Sequence, residues 1–200
     1  EDFIPEYPNR DDPEFALKLA RKKEFQELDI GPGPGEKIDG GLYASQMFAR
    51  RMFSPYTEYT KAAFFHQAGA GKTCEASAII EGVKSGKITE NKRALIFVNN
   101  ETLVAKFEEE IAKKCAKGVY EFEEGTAKAT KRRLRKEVGK YYEVVTQNHI
   151  NSIMERSPEV VKEIHSGRVV ILDEVHTVTE TTLTKKKKQK LAEVGISASQ

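Results

Sequence analysis

Apolar residues along the chain gather in short runs, and between the runs they recur every three or four positions. Runs of that length predict strands, and the spaced pattern predicts amphipathic helices. Ala62 to Phe65 leads into the turn His66-Gln67-Ala68-Gly69-Ala70-Gly71-Lys72-Thr73, after which Ala76, Ile79, Ile80 and Val83 repeat at helical spacing. Ala94 to Val98 ends in Asn99-Asn100, and Leu103, Phe107, Ile111 and Cys115 follow at four-residue spacing with Asn100 as the N-cap. Tyr141 to His149 is strand-like, and Ile150, Ile153 and Met154 suggest another helix. Val169 to Leu172 is too short for a helix; it predicts a strand buried on both faces that ends at Asp173-Glu174. Strand–helix units in this alternation predict an α/β domain with a largely parallel sheet.

The flanks read differently. Residues 1–40 carry Pro5, Pro8, Pro13, many charges and a Gly-Pro-Gly-Pro-Gly stretch, so they predict an arm and linker, with a short amphipathic helix on Phe15, Ala16, Leu19 and Ala20. Leu42 to Phe53 predicts a helix that Ser54-Pro55 ends. Residues 119–140 suggest an irregular insertion and then a charged helix through Lys131-Arg132-Arg133-Leu134-Arg135-Lys136. Thr177 to Lys190 is rich in threonine and lysine, which suits a loop or an electrostatic contact to nucleic acid.

Composition narrows the classes. Thirty-three Lys and Arg against 31 Asp and Glu leave a net charge of +2, so any basic surface must be local. Two cysteines, Cys74 and Cys115, provide no spacing for a disulfide framework or a zinc site, and predict a reducing, intracellular compartment. No run of about eighteen apolar residues is present, so no membrane partner is expected.

The chemistry centres on the glycine turn. Gly69 and Gly71 let backbone N–H groups close around a polyphosphate, Lys72 can reach the outer phosphates, and Thr73 can place a hydroxyl on Mg²⁺. The following helix brings the positive end of its dipole to the same place. Asp173 at a strand end can hold Mg²⁺, and Glu174 can orient or deprotonate an attacking water. The cofactor-binding set is therefore Gln46, Gly69, Ala70, Gly71, Lys72, Thr73 and Cys74, in which Gln46 could read an adenine edge through its amide.

His66 through Thr73 together with Asp173-Glu174-Val175-His176 resembles motifs I and II of superfamily 2 DExH helicases, in which the first loop position is often not glycine. Gln46 within Ser45 to Arg51, followed by Phe53-Ser54-Pro55-Tyr56-Thr57, resembles the segment ahead of the loop in helicases and early transcription factor ATPases of nucleocytoplasmic large DNA viruses. The resemblance implies a RecA-like domain over residues 41–200, with ATP and Mg²⁺ as cofactors. It assigns Lys72, Asp173 and Glu174 to catalysis, and Thr73 and Asp173 to the metal. His176 would couple the ATP site to DNA or RNA held at Asn99, Asn100, Thr146 and Gln147, mainly by sugar–phosphate contacts. It further implies a second RecA-like domain or partner subunit that supplies arginine fingers, a role in viral transcription, and a place in the virion or host cytoplasm. Two alternatives are a nucleotide-binding recruiting module without turnover and a small-molecule kinase. The intact Lys72, Thr73, Asp173 and Glu174 argue against the first, and the Asp-Glu-x-His pattern argues against the second.

Overall fold

The computed structural model describes residues 6–28, 37–38, 41–67, 69–87, 92–116, 118–120, 126–146, 149, 152–153 and 156–174. In chain order the elements are α1 (Phe15–Ala20), α2 (Lys23–Gln26), α3 (Ala44–Met52), α4 (Lys72–Lys87), β1 (Ala94–Val98), α5 (Glu101–Glu110), α6 (Ala127–Val138), β2 (Tyr142–Thr146), α7 (Pro158–His165) and β3 (Val170–Leu172). Among the described residues the sheet has three parallel strands in the order β2-β1-β3.

Strand β1 is the axis, and every residue in it is buried. Successive side chains alternate between the faces. Ala94, Ile96 and Val98 pack with Ile80 and Val83 of α4, Val104 and Phe107 of α5, and Leu134 and Val138 of α6. Leu95 and Phe97 point the other way, onto Ile153 and onto Val161 of α7 (Pro158–His165), which Ile153 precedes. Both faces of β1 are thus covered by helix, as a parallel sheet requires. Three helix starts have a visible local cause: Asn100, Thr126 and Ser157 cap α5, α6 and α7 by accepting from the backbone N–H three residues on.

Several features depart from the sequence-based expectations. Ala62 to Phe65 pairs in no ladder among the described residues and lies exposed, Phe65 at 95%. A strand is stable only when its N–H and C=O groups find a neighbouring chain, and apolar composition alone does not supply one. Strand β3 is an edge of the described sheet rather than a strand buried on both faces, and Val170 is 44% exposed. The proline-rich N-terminal stretch, read as lying outside any core, buries Leu19, Phe25 and Leu28 with Leu42, Met47 and Ala78. Its aromatic residues reach the same surface, where Tyr59 donates to the Pro8 carbonyl at 2.7 Å and meets Phe15 edge-on.

Helix α5 runs on into a wider π turn over Ile111–Cys115. Strict four-residue spacing overshoots a 3.6-residue turn by about 40° per step, and a wider turn brings Ile111 and Cys115 back to the core side. Cys115 there forms a disulfide with Cys74 at the start of α4, with 4.7 Å between Cα atoms. The spacing of the two cysteines does not announce that bond, because it depends on α4 crossing α5. Among the described residues no helix is long and apolar enough to cross a membrane. The Gly31 to Gly35 hinge, the Thr177 to Lys190 stretch, Gln147 and His176 lie outside the described residues.

Candidate nucleotide-binding site

The phosphate loop is shaped by two glycines in the left-handed region, Gly69 and Gly71, with φ of +81° and +85°. L-residues rarely adopt that conformation. At Gly71 a Cβ would also stand 2.6 Å from Gln46 Nε2, so a side chain there would displace the Gln46 amide as well as strain the backbone. The Gly71 carbonyl accepts from the N–H groups of Cys74 at 3.0 Å and Glu75 at 3.1 Å, which starts α4 at Lys72. The first N–H groups of a helix have no acceptor within the helix, and those of Lys72 and Thr73 follow directly on the loop.

Two long-range contacts complete the site. The Lys72 ammonium donates to Glu174 Oε1 at 2.5 Å, across 102 residues of sequence. Glu174, with Asp173 behind it, holds that ammonium above the usual lysine value. Asp173 extends the sheet by one residue, since its N–H donates to the Phe97 carbonyl at 3.0 Å. Glu174 then turns sharply, and its φ of 52° is the one positive value outside glycine among the described residues. Strained backbone of this kind is concentrated at functional sites.

Gln46 is 3% exposed. Its Oε1 accepts from the Tyr43 N–H at 2.9 Å, and its Nε2 donates to the Gly71 carbonyl at 3.0 Å. The amide therefore ties the start of α3 to the loop and keeps one N–H and one lone pair uncommitted to these bonds. The Cys74 side chain is held in the disulfide and its N–H in the first turn of α4. Ala70 closes a turn onto the Gln67 carbonyl at 3.3 Å. Thr73 is the second residue of α4, half-buried.

Of the other sequence-predicted residues, Asn99, Asn100 and Thr146 fall on the sheet's carboxyl edge. Val98 and Thr146 are register partners, so Asn99 and Asn100 leave β1 beside the end of β2. Asn100 Oδ1 accepts from the Leu103 N–H at 3.0 Å, which makes capping its structural task. Sequence reasoning missed Glu75. This residue is 5% exposed in the first turn of α4, and its carboxylate meets His66 Nε2. Burial pushes the Glu75 carboxyl up, against the opposing hydrogen bond from His66. No local pattern announces a glutamate whose partner lies across the loop. It also missed α7, although Ser157-Pro158-Glu159 is an N-cap, first-turn proline and acid in sequence.

Among the described residues no three metal-ligating side chains cluster. Mg²⁺ takes one or two protein oxygens and completes its shell with substrate phosphates and water. Thr73 and Asp173 are the side chains of the right chemistry at this edge.

A glycine loop opening a helix, with Asp-Glu at the end of a parallel strand and Glu174 reaching Lys72, is the arrangement of an α/β domain of the phosphate-loop class. The family described as "Type III restriction enzyme, res subunit" matches residues 37–199, and the chain belongs to it, the N-terminal helicase domain family of superfamily 2. Membership implies ATP binding, typically with Mg²⁺, and ATP-dependent helicase or ATPase activity in general. The chain is 24% identical over 189 residues to "Putative helicase 087L" of Invertebrate iridescent virus 3. That alignment covers 88% of this chain and 19% of the viral protein, so the chain spans about a fifth of that relative's length. No solved structure matches.

Proposed function

We propose that residues 69–74 bind ATP with Mg²⁺ and that this domain is the ATP-binding half of a motor moving on DNA or RNA. The observation that carries the reading is the Lys72–Glu174 contact, which joins the phosphate loop to the end of β3. On this reading an incoming triphosphate replaces Glu174 as the partner of Lys72. The ammonium then neutralises phosphate oxygens, and the released carboxylate is left to orient and deprotonate the attacking water. Thr73 and Asp173 hold the metal, whose charge would stabilise the transferring phosphoryl group.

Gln46 reads adenine with its remaining donor and acceptor. Its burial means that a neighbouring group must move to admit the base. Asn99, Asn100, Thr146 and Gln147 take the nucleic-acid backbone at the carboxyl edge, and His176 couples the two sites. A second RecA-like domain supplies the arginine, a contribution of roughly 10³ to 10⁵ in rate. The viral relative's name speaks of a helicase and not of transcription, so the proposal stops at the motor.

Titration calorimetry and steady-state ATPase assays, with and without single-stranded nucleic acid and a second domain, test this. Lys72→Ala should weaken ATP binding roughly tenfold or more, as loss of a charge-assisted phosphate contact does. Glu174→Gln should keep affinity but lower turnover by roughly 10² to 10⁴. Unchanged affinity in Lys72→Ala would remove the site. Binding without turnover under every condition would establish the recruiting module instead.

A further inference from the structure

The exit of the phosphate loop is fixed by α4 and, through Gly71, by Gln46. Its entrance is different, because Ala62 to Phe65 runs exposed with no ladder partner among the described residues. Side-chain contacts hold that end. His66 Nε2 is in hydrogen-bond contact with Glu75 Oε2, and their side chains are 22% and 7% exposed. A buried carboxylate is costly unless a partner meets it, and His66 is the partner here. The imidazole lies parallel to the Phe64 ring, 6.2 Å between centroids and 5° between planes, and Phe64 meets Phe53 edge-on at 6.1 Å. A line of contacts therefore crosses from the C-terminal end of α3, through the loop entrance, to the first turn of α4.

We propose that His66 and Glu75 form a positioning pair that clamps the entrance of the phosphate loop onto the first turn of α4. The clamp keeps the backbone at Gly69 and Gly71 in its phosphate-binding shape. Gln67 and Ala68 alone separate His66 from Gly69, so the fixed point lies within about 10 Å of chain from the cradle. Both cradle glycines have wide conformational freedom, and a loop anchored at one end would sample many shapes that bind no phosphate. Neither His66 nor Glu75 touches nucleotide in this scheme; each acts through the loop. The inference rests on the reading of the loop as an ATP site.

The test is calorimetric titration of the 200-residue chain with ATP and Mg²⁺, with thermal melts run in parallel. The variants are His66→Ala, His66→Gln, Glu75→Ala and the double alanine variant. Either single alanine change should weaken ATP binding about tenfold, and the double variant should be no worse than the weaker single, since the pair acts as a unit. His66→Gln sets an amide nitrogen close to the place of Nε2 and should recover most of the affinity. A merely structural role predicts lowered melting temperatures with unchanged affinity of the folded protein, and that result overturns the proposal. His66→Ala, at a partly exposed position, keeps the test decisive should Glu75→Ala fail to fold. If Lys72→Ala weakens binding while His66→Ala binds within twofold of the unsubstituted chain, the pair falls and the ATP site stands. If the unsubstituted chain binds no ATP, both fall.

Discussion

Ala62 to Phe65 and Ala94 to Val98 look alike as sequence, since each is a short apolar run that ends in a polar turn. In the fold they have opposite fates. The second is the buried centre of the sheet, paired on one side with β2 and on the other with β3. The first lies exposed and joins no described strand. The difference lies in what surrounds them. β1 has strands on both edges and helices on both faces, so each N–H, C=O and side chain has somewhere to go. The run ahead of the loop has aromatic contacts at Phe64 and the His66–Glu75 contact beyond it. An apolar run is an invitation to pair, and topology decides whether it is taken up.

Hydrogen exchange should show the contrast at its largest. Amides of Leu95, Ile96 and Phe97 should exchange only through global opening, at about 5 kcal/mol or more, while those of Ala63 to Phe65 should sit within about 1 kcal/mol of unprotected chain. Equal protection of both runs would break the comparison. Ile96, fully buried, should lose about 2–5 kcal/mol on truncation to alanine, measured by urea unfolding.

The sheet strands are also braced at their amino ends, away from the loop. Arg168 donates to Glu143 of β2 and to the Arg93 carbonyl, and Arg93 adds a second cation to Glu143. Burial alone would raise Glu143, but the hydrogen bond from Arg168 and the charges of Arg168 and Arg93 outweigh it and hold the carboxyl below its usual value. A depressed folded-state value means that the stabilisation is present above the ordinary glutamate value of about 4.3 and is lost as pH falls through the folded value. Glu143→Gln should therefore cost about 1–2 kcal/mol at pH 7. The gap in urea midpoint between this variant and the unsubstituted chain should close as the solution is acidified from the ordinary glutamate range down through the depressed folded-state value. A gap independent of pH would mean that the ion pair contributes nothing. The smallest effect belongs to the other run: Phe65→Ser should change stability by no more than about 0.5 kcal/mol. A larger loss would show that Phe65 is covered in solution.

Much of the architecture was legible from short-range signals. Helix α5 follows from Asn100 and the apolar spacing behind it, and the charged helix α6 from the basic cluster around Leu134. Helix α7 was equally legible, in the Ser157-Pro158-Glu159 cap and in Val160, Val161 and Ile164 at helical spacing behind it, and went unread. The disulfide, the π turn and the buried Glu75 had no such signal, because each depends on α4 lying against the end of α5 or on the loop folding back over α4.

What the sequence by itself determined is the loop's chemistry. Gly69 and Gly71 stand at left-handed turns that favour glycine, Lys72 and Thr73 follow at the helix start, and Asp173-Glu174 ends an apolar run. These are local matters, governed by backbone angles and caps that a few neighbouring residues control. The tertiary structure alone decided that Glu174 would meet Lys72, that Gln46 would hold Gly71, and that Ala62 to Phe65 would stay outside the described sheet. Such contacts join residues from 25 to 102 positions apart. No local preference encodes them, since they arise only when packing of the whole core brings distant segments within hydrogen-bond reach.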